Sequence, residues 1–212
     1  RHGVYSVKDE DRSSQTTNLV AGGDGETGEN ESYCESAVFG RFFIPGALVY
    51  DTNSDNIYQI DTGNELIKRI ANPDFDQTNI YNFAGTRIIR PTSFYGAVAP
   101  SSSGCSTNLR LELTSAITVL ENTLYFSESI PDMIRYISVD DLCGCSNPSC
   151  ICTLRDGITT NADVTIHKLD SFEDKVTALS SYSKHLLVGF RKSDYLIDYY
   201  NGDKVKIEIP SD

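Results

Sequence analysis

The chain has 212 residues, 30 acidic against 18 basic side chains for a net charge of −12, six cysteines, one Met and no Trp. With 23% charged and 39% hydrophobic residues it suits a folded chain, not an acidic disordered tail. No apolar run approaches the roughly 18 residues of a membrane-spanning helix, and the negative charge argues against binding a phosphate backbone.

In chain order, residues 4–7 and 19–21 read as short strands. Residues 22–28 are glycine-rich but acidic, which repels phosphate and argues against a phosphate-binding loop. Asn30 opens an N-glycosylation sequon, Asn30, Glu31 and Ser32, in a Gly- and Glu-rich loop. Residues 47–50 are an apolar run that suits a strand covered on both faces. Asp51, Asn53 and Asp55 imitate the front of a calcium loop, but Asn56 stands at the sixth position and Thr62 at the twelfth. A turn between strands is therefore expected. Residues 57–60, 67–70 and 81–84 follow as further strands, with a turn at 62–64. Ile88, Ile89, Pro91, Phe94 and Tyr95 give the long connection over 86–115 an apolar stretch, expected to pack on a partner. The strand pattern then returns over 116–119, 124–127, 134–137 and 164–169, and again over 176–179, 186–190, 197–200 and 205–209.

The spacing is a repeat. Val4, Ile67, Ile134 and Ile197 hold equivalent places, and the unit recurs every 62 to 67 residues. Each unit reads as four antiparallel strands and no helix, which is the blade of a β-propeller. The segments 39–48 and 56–70, with Ala84 and Gly85, resemble an NHL repeat, as does the run from Leu19 to Gly25 that leads into them. The likeness is strongest over 18–86, weaker to 137 and faint beyond. It implies an all-β propeller, typically of six blades, and leaves function open, because that family includes RNA binders, protein-binding scaffolds and lyases. Residues 1–22 supply an outer half-blade, while 37–86, 110–170 and 174–212 supply three blades, the middle one with a Cys-rich insertion over 138–163. Closure at this spacing needs about 390 residues. The expectation is thus a partial propeller of about three and a half blades, completed by a neighbouring subunit or by more of a longer protein. The start at Arg1 and His2, without an initiator Met, gives the same expectation of a processed or partial chain.

Cys34 and Cys105 fall in connections that enter adjacent blades on one face, where they can bridge neighbours. Cys143, Cys145, Cys150 and Cys152 lie on the opposite face. Nested pairing, Cys145 with Cys150 and Cys143 with Cys152, competes with the alternate pairing and with a zinc site of four thiolates. Disulfides are the favoured reading, and with the sequon they point to a secreted or cell-surface protein.

His2, His167 and His185 fall in different strand types and do not converge. Asp61 and Glu128 occupy equivalent turn positions and are the best candidates for a metal in the central channel. The plainer expectation is that each caps its own turn. Lys68, Arg69 and Arg135 recur on third strands, where alternate positions are expected to be solvated. No cofactor, nucleic acid or membrane span is expected. The resulting expectation is a non-catalytic extracellular scaffold for protein–protein interaction or structural assembly. The alternative is a metal-dependent propeller enzyme of the lyase or lactonase type.

Overall fold

The computed structural model describes residues 3–9, 15–23, 40–71, 79–85, 104–105, 111, 114–129, 132–139, 165–193, 195–201 and 203–209. Every strand segment expected from the repeat lies within or overlaps an observed strand. A first sheet pairs β1 (Val4–Asp9) with β2 (Gln15–Ala21). A second runs in order through β3 (Pro45–Asp51), β4 (Asn56–Asp61), β5 (Leu66–Ala71) and β6 (Asn79–Ala84). The third contains β7 (Gly104–Cys105), β8 (Ile117–Leu120), β9 (Thr123–Ser129), β10 (Asp132–Ser138) and β11 (Thr165–Ser171), in the order β7-β11-β10-β9-β8. The fourth is β12 (Val176–Tyr182), β13 (His185–Phe190), β14 (Tyr195–Tyr200) and β15 (Asp203–Glu208). All pairings are antiparallel.

Local chemistry sets the turns. Asp51 accepts the Asn53 N–H at 3.0 Å and the Ser54 hydroxyl, so its oxygens close the β3–β4 turn in the manner of an Asx turn. Glu121 and Ser183, both left-handed, sit in the two-residue turns β8–β9 and β12–β13, and this backbone matches the twist of the strands. Gly85 has φ +97°, as Gly22 has 91° one repeat earlier. A Cβ on Gly85 would also lie 2.5 Å from the Glu65 carbonyl oxygen.

The sheets stack face to face, with β8 lying between β3 and β12 at their inner edges. Val4, Ala21, Phe42, Ile70 and Ile80 fill the joint between the first and second sheets. Tyr58, Ile60 and Ile67 meet Ile117, Leu124 and Phe126 in the next joint. Ile134 meets Val176, Leu186, Val188 and Ile197 in the last. Burying such side chains contributes roughly 1.5–3 kcal/mol each. Polar contacts pin the inner edges as well: Ser181 donates to the Val119 carbonyl at 2.6 Å, and the Asn53 amide reaches Asn122 Oδ1 at 3.4 Å.

Three expectations need correction. Of the first strands, β8 is covered on both faces but β3 and β12 are not, since these two alternate between covered and exposed positions; β5 is buried throughout, mid-sheet with a sheet on either side. Leu48 and Tyr50 of β3 are 50% and 47% exposed, on the side where the first sheet has two strands among the described residues. The connection over 86–115 is not wholly loop, as it contributes β7, which pairs with β11. Finally, Lys68, Arg69 and Arg135 are buried, not solvated, because stacking covers both faces of the inner sheets.

Candidate functional site

Asp61 ends β4, and Lys68 follows seven residues later in mid-β5. Glu128 is the next-to-last residue of β9, and Arg135 again follows seven residues later in mid-β10. The registers Gln59–Lys68 and Phe126–Arg135 make these positions equivalent. All four side chains are 0% exposed. Lys68 Nζ lies 3.8 Å from Asp61 Oδ2 and donates to the Arg41 carbonyl at 2.9 Å. Arg135 Nε lies 2.8 Å from Glu128 Oε2 and donates to Met133 Sδ at 3.2 Å. The approach of Arg135 to Glu128 is thus ionic more than a well-aligned hydrogen bond, and its two terminal nitrogens have no hydrogen-bond partner among the described residues. Burial without an opposite charge would cost several kcal/mol per ion, and here each buried charge faces one of opposite sign.

Asp61 does not cap its own turn. Its Oδ1 accepts the Phe43 N–H at 2.7 Å and its Oδ2 accepts the Asn64 side chain at 2.7 Å, while the 3-10 turn Thr62–Asn64 has no side-chain cap. The carboxylate points inward and ties the segment before β3 to the turn after β4. Glu128 is likewise turned to the interior. Chemically, these groups form neutral pairs inside the sheet joints. The sequence signal that identifies their partners is the shared seven-residue spacing, which a one-sheet view of the third strands overlooks.

The fourth sheet lacks this pair. Its register Val188–Ile197 places Phe190 and Ile197 where Glu128 and Arg135 stand. His185 Nδ1 lies 2.8 Å from Asp198 Oδ2 and its ring stacks on Tyr200 at 4.6 Å, on the face turned away from the third sheet. That face also carries Tyr182, Leu187, Leu196, Val205 and Ile207, held together by the registers Leu196–Ile207 and Asp198–Val205. Leu187 and Leu196 stand where Tyr58 and Ile67 stand in the second sheet and Tyr125 and Ile134 in the third. Tyr58, Ile67 and Ile134 are buried and Tyr125 packs in the last joint, whereas Tyr182, Tyr200, Val205 and Ile207 are exposed.

His167 lies on β11 opposite Tyr136. Cys105 lies on β7 opposite Thr165, but its side chain is outside the description. Cys34, Cys143, Cys145, Cys150, Cys152, Asn30, Ile88, Ile89, Pro91, Phe94, Tyr95 and His2 lie outside the described residues. No group of three or more His, Cys, Asp and Glu is placed to hold a metal among the described residues. No helix there is long and apolar enough to cross a membrane. No protein-family model matches the chain, and no curated protein matches it.

Proposed function

We propose that this chain is a segment of an NHL-like β-propeller that serves, in a secreted or cell-surface protein, as a non-catalytic scaffold for protein–protein interaction or structural assembly. The observation that carries this reading is the outward face of the fourth sheet. Its Leu187 and Leu196 hold the positions that the next sheet covers in the second and third sheets, and the same face presents Tyr182, Tyr200, Val205 and Ile207 to solvent. A contiguous apolar face of this kind marks a surface made for a partner. The buried pairs favour the same reading over a metal-dependent enzyme, because Asp61 and Glu128 are neutralised by Lys68 and Arg135. The six cysteines and the sequon at Asn30 support the oxidising compartment.

The test is sedimentation of the intact chain beside a Val205→Lys/Ile207→Lys variant. The wild type is expected to associate with rising concentration, and the variant to stay monomeric with unchanged β-sheet circular dichroism. A wild-type chain that remains monomeric at every concentration reached would overturn the reading.

A further inference from the structure

We infer that His185 gates the outward face of the fourth sheet by pH: covering that face draws a proton onto the imidazole, so association through it strengthens in mild acid. The inference rests on the scaffold reading above and adds a control to it. His185 Nδ1 lies 2.8 Å from Asp198 Oδ2, and the two side chains are 37% and 15% exposed. The other carboxylate oxygen, Asp198 Oδ1, is buried and has no hydrogen-bond partner among the described residues. His185 is thus the group that compensates this carboxylate. Its ring stacks on Tyr200 at 4.6 Å with 23° between the planes, which helps to hold Nδ1 on Asp198. The other titratable groups around it are Tyr182 across β12, Tyr200 on β14, Asp203 of β15 beyond Tyr200, and Lys184 beside it in the turn.

The pair is peculiar to this sheet. By register, Asn56 and Arg69 hold the places of His185 and Asp198 in the second sheet, and Thr123 and Tyr136 hold them in the third. Neither of those sheets sets an imidazole against a carboxylate at these positions. With His185 neutral, a cover over the face would enclose a net negative charge, and a second copy would bring its own Asp198 to the same interface. With His185 protonated the pair is neutral, and the cover takes water from two opposite charges already in contact. The charged imidazole is therefore favoured more in the covered state than in the open one. By linkage, the covered state gains as pH falls through the range in which imidazole takes up its proton.

The test is sedimentation of the full chain from about pH 8 to about pH 6 at constant ionic strength. The wild type is expected to associate about tenfold more tightly at the acid end. His185→Gln can donate to Asp198 but cannot take up a proton, and it is expected to lose this step. Asp198→Asn removes the charge that favours the imidazolium, and it is expected to reverse the step, since the cover then opposes an uncompensated cation. Titration of the remaining groups acts on all three chains alike, and circular dichroism is expected to be unchanged in both variants. A wild-type profile that is flat or weakens in acid, or a His185→Gln chain that keeps the step, would overturn the inference, while the association itself would leave the scaffold reading standing. A wild-type chain that stays monomeric at every pH would overturn both.

Discussion

Arg135 shows what one buried charge demands. Its guanidinium is fully covered, meets Glu128 at 2.8 Å, and leaves its terminal nitrogens without protein partners among the described residues. Removing it would take from the buried Glu128 the opposite charge at 2.8 Å, so Arg135→Ala is expected to cost about 3–5 kcal/mol. The fourth sheet indicates the remedy, since Phe190 and Ile197 fill the same two positions there. Glu128→Phe combined with Arg135→Ile is therefore expected to recover most of that loss, as urea unfolding of the three chains would show. A double variant no more stable than Arg135→Ala would mean that the pair does more than fill and neutralise the joint.

Among the elements, the third and fourth sheets are clamped at their outer strands. Asp170 of β11 accepts from the Tyr199 hydroxyl and from Lys204 Nζ, both at 2.6 Å. Partial burial pushes the Asp170 carboxyl up, but the bonds from Lys204 and Tyr199 outweigh it and hold the group below its usual range. Burial and Asp170 together push the Tyr199 phenol up. A lowered carboxyl contributes stability that is complete above its unfolded value and is lost as pH falls through the folded one. The clamp should thus open below about pH 4, and Asp170→Asn should flatten that part of the acid limb in a melting-temperature profile. An unchanged limb would place acid sensitivity elsewhere. The elements are also where the sequence was most legible. Runs such as Ile67–Ile70 recur at a fixed interval, and the structure has strands at each. What periodicity within one strand cannot show is stacking: it treats Lys68 and Arg135 as the outer half of an alternation, whereas both faces of β5 and β10 are inner faces. The strand β7 escaped because Gly104 and Cys105 carry no β-branched or aromatic signal.

For the whole molecule, the charge of −12 opposes the approach of like chains, while the exposed face of β12–β15 favours it. Salt screens the first and leaves the second largely intact. Association of the wild-type chain is accordingly expected to strengthen as salt is raised, measured by sedimentation at low and high ionic strength. Weakening with salt would indicate contacts held by charge in place of the apolar face. Most of the architecture follows from the repeat, but the exposed face does not, because Tyr182, Val205 and Ile207 look like ordinary strand residues until the sheets are stacked.

The exposed face of the fourth sheet admits two kinds of cover. A second copy of that face can lie on it about a two-fold axis, which finishes as a dimer, whereas any other surface joins it head to tail and either closes as a ring or runs on as a filament. The angle between successive sheets, which no single residue sets, therefore decides whether a head-to-tail assembly is finite.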